Sequence, residues 1–283
     1  MTLAPRRLIV TADDFGRDIA VNEAVERAHR DGILSTTSLM VGAPAAADAV
    51  ARARRQADLH VGLHLVLIDG DPVLPREELG CLVRCDGRFD DNPLRSGLRF
   101  CFRPKACRLL AAEIRAQFEA FRATGLALDH VNAHKHMHLH PTVARLVIEI
   151  GRDYGMHAVR LPAESKKTLR RAFPGERLSS TPPAVAVAAL RRRLRRSGLA
   201  FNDHVFGIAW SGGMTEERVL ELLPHLPRGV SEIYSHPATD ASAAVPGYRP
   251  LEELAALVSP RVQQLIDELG ITLVTYADVA RKS

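Results

Sequence analysis

The stretch RLIVTADDFGRDIAVNEAVERAHRDG, residues 7–32, reads as one strand followed by one helix. Residues 7–11 are a short β-branched run. Across residues 18–31 the positions Ile19, Asn22, Val25 and Ala28 recur at helical spacing, with Asp18 as N-cap and Gly32 as the stop. Working outward, the same alternation reaches the C-terminus. Further strands are expected at 36–41, 59–67, 128–133, 158–161, 205–209, 231–235 and 271–275, and helices at 46–55, 106–124, 142–154, 215–223 and 251–269. Strand and helix in strict succession imply parallel strands with right-handed crossovers, hence an open doubly wound sheet or a closed barrel. Seven or eight units in one chain favour the barrel, and no GxGxxG or Walker-type loop follows the first strand. The expected fold is α/β, a parallel, TIM-like (β/α) barrel forming one domain over residues 1–283. Residues 69–104 and 164–202 are too long for plain connections and are read as insertions at the C-terminal mouth, where substrate recognition resides.

Composition narrows the class. With 283 residues and 46% apolar content, the chain can bury a full core. No stretch has the roughly 18 uninterrupted apolar residues of a membrane span, and no signal-type apolar region separates Arg6 and Arg7 from Asp13 and Asp14. The expected location is the cytoplasm, with the inner membrane surface as an alternative. Cys81, Cys85, Cys101 and Cys107 lack CxxC spacing and are read as reduced thiols. The net charge of +5 is small for this length, and much of it sits in the run from Arg191 to Arg196, after an Ala/Val segment. A solvated helix face is the plain reading, and peripheral contact with an anionic membrane or an amphiphilic substrate is the alternative. Few aromatics and no nucleic-acid module signature argue against nucleic acid.

The chemistry gathers where strands end. Asp13 and Asp14 are adjacent, so in a strand they point apart and are suited to different tasks, one at a cation and one at a proton. By themselves they equally suit a helix cap. His60 and His64 share a face of the third strand, with His64 nearer its exit. Five of the twelve histidines fall within residues 130–140, and in an extended segment His134, His136, His138 and His140 would project to one side, with Pro141 opening the next helix. Packing has no use for so many imidazoles, whereas a metal does. His236 closes the set, again at a strand end before a proline. In a barrel these strand ends face one mouth, so Asp13, Asp14, His64, His134 and His236 can meet.

Together, TADDFG, the GLHL around His64, NAHKHMHLHP and the late SHPA resemble the YdjC-like (ChbG) carbohydrate deacetylases, metal-dependent enzymes with a distorted β/α barrel, over about residues 7–278. Within that family the stretches VNEAVERAHRDGILSTTSLMVGAPAAADAV, RFCFRP and IRAQFEAFRATGLALDHVNAHKHMHLHPTV look most like the hopanoid-biosynthesis-associated HpnK branch. The resemblance implies Asp14, His64 and His134 as metal ligands, Asp13 as the base and His236 as the acid. Lys135 stands where the family often has a second histidine. His136 and His138 are assigned to the second shell or the sugar, Arg160 to orienting Asp13 or binding the acetyl carbonyl, and His130 and His140 to structure.

One carboxylate and two imidazoles leave open positions for water and the acetyl oxygen, as catalytic metal sites do. The mixed donor set fits zinc best, with nickel, cobalt or iron as alternatives and magnesium the poorest match, since it usually takes an all-oxygen shell. The implied substrate is an acetylated amino sugar, lipid-linked in that branch. The rivals are chitooligosaccharide deacetylation, metal-dependent hydrolysis of another bond such as a phosphoester, and a metal- or lipid-binding module without turnover.

Overall fold

In the computed structural model, which describes residues 5–178, 181–243 and 245–281, the first strand runs on through the acidic pair. This strand, β1, spans Arg6–Phe15 and is buried from Leu8 to Phe15, as a parallel strand covered on both faces must be. The others are β2 (Thr36–Leu39), β3 (His60–Leu65), β4 (Leu128–Ala133), β5 (His204–Phe206), β6 (Gly229–Ser235) and β7 (Thr272–Leu273). They form one parallel sheet in the order β4-β3-β2-β1-β6-β5, and β7 pairs with the start of β1. The sheet curls, and residues 158–163 span the gap between β4 and β5. Arg160 N donates to Val131 O (3.0 Å), Val159 N to Ala200 O (3.0 Å) and Val205 N to Ala163 O (3.1 Å). The strand expected at 158–161 is thus present only as isolated bridges. Pro162, which has no N–H, ends it. The result is the expected α/β fold, a distorted parallel barrel.

Alternate residues fill the interior in layers. At the N-terminal end Ile9, Ala158, Ala200, Val230, Val274, Tyr276 and Val279 form an apolar plug separate from the larger core between sheet and helices. Above the plug the interior turns polar, with Thr11 and Glu232 and then Asp13 and Arg160, all buried. Gly62 serves this layering: a Cβ there would lie 2.5 Å from the His130 ring, which is itself stacked on Tyr276 (4.5 Å between centroids).

The helices follow their sequence signals with two exceptions. The helix Ile19–Asp31 is capped by the Asp18 side chain, which accepts from Ala20 N (2.8 Å). The single helix expected at 251–269 is two, Pro250–Leu257 and Pro260–Glu268, because Pro260 cannot continue a helix and Ser259 caps a new one. Tyr276–Ala280 forms a further helix with a capping box at Thr275 and Asp278, although the strand pattern was expected to reach residue 275. Residues 69–104 contain the helices Arg76–Leu79 and Pro93–Phe102, and residues 164–202 contain Lys166–Ala172 and Ala184–Arg196. In the last of these Leu190 and Leu194 are buried while Arg192, Arg195 and Arg196 face outward. Residues 1–4, 179–180, 244 and 282–283 and the Cys101 side chain lie outside the described residues; Cys81, Cys85 and Cys107 are unbridged. No described helix is long and apolar enough to cross a membrane.

Candidate active site

β1 ends in a bulge between Ala12 and Phe15, and Asp14 there has φ 67°. The bulge re-aims the two acidic side chains, so they serve different neighbours. Asp14 Oδ1 lies 3.3 Å from His64 Nε2 and 3.4 Å from His134 Nδ1, and those two nitrogens are 3.5 Å apart. Despite these neighbours, Asp14 Oδ1 is buried without a hydrogen-bond partner. The three atoms aim at a common point rather than at one another.

A fixed frame holds this triangle. His64 Nδ1 donates to Asn132 Oδ1 (2.7 Å), which leaves Nε2 as the free lone pair. Asn132 Nδ2 and Ser38 Oγ donate to Asp13 Oδ1 at 3.0 and 2.8 Å. Arg17 Nη1 donates to the other Asp14 oxygen (2.9 Å). Burial works against an imidazolium at His64, but the carboxylates of Asp13 and Asp14 outweigh it and raise its pKa. Burial likewise opposes the Asp14 charge, and His134 and His64 overcome it and hold the carboxyl well below its ordinary range.

Asp13 belongs to a buried charge chain. Arg160 grips it bidentately, Nη1 to Oδ2 (2.5 Å) and Nη2 to Oδ1 (2.9 Å), and on its other side bonds Glu232 through Nε (3.0 Å to each oxygen) and Nη2 (2.8 Å). Thr11 Oγ1 (2.6 Å) and Tyr276 Oη (2.7 Å) also donate to Glu232. Burial would raise the Asp13 pKa; the Arg160 charge outweighs it and holds the carboxylate ionised. Of the two tasks expected of Arg160, the geometry matches orienting Asp13, since the guanidinium is fully buried and lines no part of the cavity.

The histidine-rich segment is not extended as expected. It folds as a tight 3₁₀ turn, His134–Leu139, interrupted by left-handed residues at Lys135 (φ 50°) and His136 (φ 54°). A cavity of about 260 Å³ at the barrel mouth is therefore lined by His134, Lys135 and His136, together with Asp13, Asp14, His64, Tyr234, His236 and Tyr248. His136 Nε2 lies 3.3 Å from Tyr234 Oη. His138 stands behind the cavity, its Nε2 donating to Arg160 O (3.0 Å); burial and then the Arg160 charge push its pKa down to about 3. His140 points away and caps the next helix through Nδ1. His236 packs against Tyr234 and Tyr248, and Glu253 Oε2 accepts from its backbone N (2.7 Å). Burial lowers its pKa despite Asp14 and Asp13.

Sequence reasoning missed Ser38, Asn132, Glu232 and Tyr248. The first two share strand parity with their neighbours' ligands, a signal available once the register is known. Glu232 gave no signal, because it lies in an ordinary strand run.

The donor set and its spacing fit a divalent ion. Ligand atoms about 2.0–2.1 Å from a shared ion at tetrahedral angles lie about 3.4 Å apart, which matches the observed 3.3, 3.4 and 3.5 Å. Among the described residues this is the one cluster of its kind.

A second cavity of about 640 Å³ is lined by Pro162, Ala163, Glu164, Pro182, Pro183 and Val187, among others. Glu164 accepts from the backbone N–H groups of Gly207, Ile208 and Ala209, and Ile208 lines the catalytic cavity, so one layer of chain separates the two spaces.

The family model described as YdjC-like protein matches residues 7–268. A carbohydrate deacetylase of Brevibacillus brevis is 30% identical over 282 residues, covering 96% of this chain and 99% of the relative. Another of that name, from Geobacillus stearothermophilus, is 29% identical over 279 residues, covering 97% and 98%. Among solved structures, a protein of Enterococcus faecalis V583 provisionally described as a cellobiose-phosphate cleavage protein superposes with a TM-score of 0.77 at 24% identity, covering 97% of this chain and 99% of the other. An uncharacterized protein of Agrobacterium tumefaciens C58 gives a TM-score of 0.53 at 12% identity, covering 98% and 90%. Both structures share the fold.

Proposed function

Since the chain belongs to the YdjC-like family, we propose that it is a metal-dependent N-deacetylase, a hydrolase releasing acetate from an N-acetylated amino sugar. The observation that carries this reading is the convergence of Asp14, His64 and His134 beside the separately held carboxylate of Asp13. The name shared by the Brevibacillus and Geobacillus relatives supports it.

Asp14, His64 and His134 would hold the ion, for which zinc suits the mixed N/O set best. When bound, the ion supplies Lewis-acid polarisation of the amide carbonyl and an acidified water. Asp13 then serves as general base at Oδ2, whose partner is Arg160 Nη1, while Oδ1 is occupied by Ser38, Asn132 and Arg160. Arg160 keeps that carboxylate ionised and stops it rotating. His236, across the cavity, would pass to the departing amine the proton that Asp13 takes from water; burial lowers its pKa, so its protonated form gives that proton up readily. Tyr234 and His136 line the cavity, where they would flank the acetyl and sugar groups.

For the acceptor we favour the HpnK-type reading, the N-acetylglucosamine head group of a hopanoid lipid. The larger, mainly apolar cavity one layer from the catalytic one supports a substrate with an apolar portion, and the outward arginines of the helix Ala184–Arg196 suit an anionic membrane surface. A chitooligosaccharide is the second reading, compatible with the name carbohydrate deacetylase of the relatives. Acetate release from an N-acetylglucosaminyl lipid and from diacetylchitobiose, measured beside phosphate release from a sugar phosphate and with metal analysis of the purified protein, tests all three. Acetate release that stops on chelation and returns with zinc supports the proposal. Phosphate release without acetate release would overturn it.

A further inference from the structure

Among the described residues, four that are not glycine have positive φ: Asp14, Asp69, Lys135 and His136. All four line the same 260 Å³ cavity. Two of them are accounted for, since Asp14 is turned toward the histidines and His136 toward Tyr234. Asp69 and Lys135 are not. They come from different parts of the chain, the segment after β3 and the turn after β4, and meet across the rim, Lys135 Nζ to Asp69 Oδ2 at 2.5 Å. Each side chain remains 43% exposed. A half-exposed ion pair returns less stability than two left-handed residues with side chains cost, so the pair alone does not explain why the backbone is held this way. Strained residues of this kind cluster where a ligand is gripped.

We propose, on the basis of the deacetylase reading, that Asp69 and Lys135 are a specificity clamp for the sugar's hydroxyls. The pair presents an acceptor-only carboxylate beside a donor-only ammonium, on the cavity wall that also carries His134. A hydroxyl both donates and accepts, so a single sugar hydroxyl, or two neighbouring ones, satisfies both partners at once. An acetyl carbonyl, which only accepts, satisfies the ammonium alone, and a hydrocarbon satisfies neither. The clamp reads the ring while the histidines and Asp13 act on the amide.

The test uses the zinc-loaded protein and its Asp69→Asn and Lys135→Met variants. kcat and KM for acetate release are measured on N-acetylglucosamine, diacetylchitobiose and the monodeoxy analogues of N-acetylglucosamine, with metal stoichiometry determined for each protein. Hydrogen bonds to charged groups predict a 10- to 100-fold rise in KM, with kcat and zinc content nearly unchanged. For at least one deoxy analogue, the penalty seen with the wild type should vanish in Asp69→Asn. A merely structural role would leave that penalty intact. If the wild type turns over these sugars but both variants keep kcat/KM within twofold, or the deoxy penalties persist unchanged, the clamp is overturned. If the wild type releases no acetate from any of these sugars or from an N-acetylglucosaminyl lipid assayed beside them, the deacetylase reading fails and the clamp fails with it.

Discussion

Replacing Asp13 by Asn separates stability from turnover, because the charge chain around it can be balanced by hand. The wild-type chain holds two carboxylates, Asp13 and Glu232, around one guanidinium, Arg160, all buried. In Asp13→Asn, Arg160 and Glu232 remain a one-to-one pair and no buried charge is left uncompensated. What is lost is the bond from Arg160 Nη1 to Oδ2, where the new amide turns a donor toward a donor. A hydrogen bond to a charged group is worth about 1.5–3 kcal/mol, so the fold should survive with a modest loss. The Asn oxygen can still accept from Ser38 and Asn132, so Asn132 keeps its grip on His64 and the Asp14–His64–His134 triangle should bind metal as before. Turnover has no such reserve. Losing a general base removes roughly 10²- to 10⁴-fold in rate, or about 3–5 kcal/mol of barrier. The assay is acetate release on the best amino-sugar substrate, with metal stoichiometry and thermal unfolding measured on the same preparation. Turnover within tenfold of wild type would remove Asp13 from the role of base. Loss of metal together with activity would show that the two carboxylates are not functionally separate.

Arg160→Met leaves Asp13 and Glu232 buried without their cation, so it should cost about 3–5 kcal/mol and lower the unfolding midpoint by on the order of 10 °C; a smaller loss than in Asp13→Asn would contradict the charge balance. Burial raises Glu253 to about 7, opposed by the N–H groups of Met214 and His236. Because the folded value lies above the unfolded one of about 4.3, its contribution is fully present below pH 4.3 and is lost as pH rises through 7, on the order of 4 kcal/mol in all. The stability gap between wild type and Glu253→Gln should therefore shrink from pH 5 to pH 8, and a gap that stays constant in urea titrations would mean Glu253 is ionised throughout. Gly212 has φ 74°, and a Cβ there would lie 2.1 Å from Tyr248 Cγ. Gly212→Ala should displace Tyr248 from the cavity wall and raise KM with zinc content intact; unchanged steady-state kinetics would show that Tyr248 does not shape the cavity.

The alternation of residues 7–32 and its recurrence were enough to give a parallel barrel, because local periodicity and capping are written in neighbouring residues. Strand-end position was likewise enough to nominate Asp13, Asp14, His64, His134 and His236, since parallel strands deliver their C-terminal ends to one mouth. The histidine run was misread as extended, because alternate spacing does not distinguish a strand from a turn held by left-handed residues at 135 and 136. As a result His138 stands behind the cavity rather than beside His134, while His140 caps the next helix, a structural part as assigned.

What the chain's order alone determined is the kind of layered fold and the list of groups available at its mouth. The tertiary structure decided which of those groups share a point in space: the bulge that parts Asp13 from Asp14, the burial that binds Asp13 to Arg160 and Glu232, and the rim that joins Asp69 to Lys135. Those pairings link residues far apart in sequence, and their energies come from burial and charge separation, which exist only once the chain has folded.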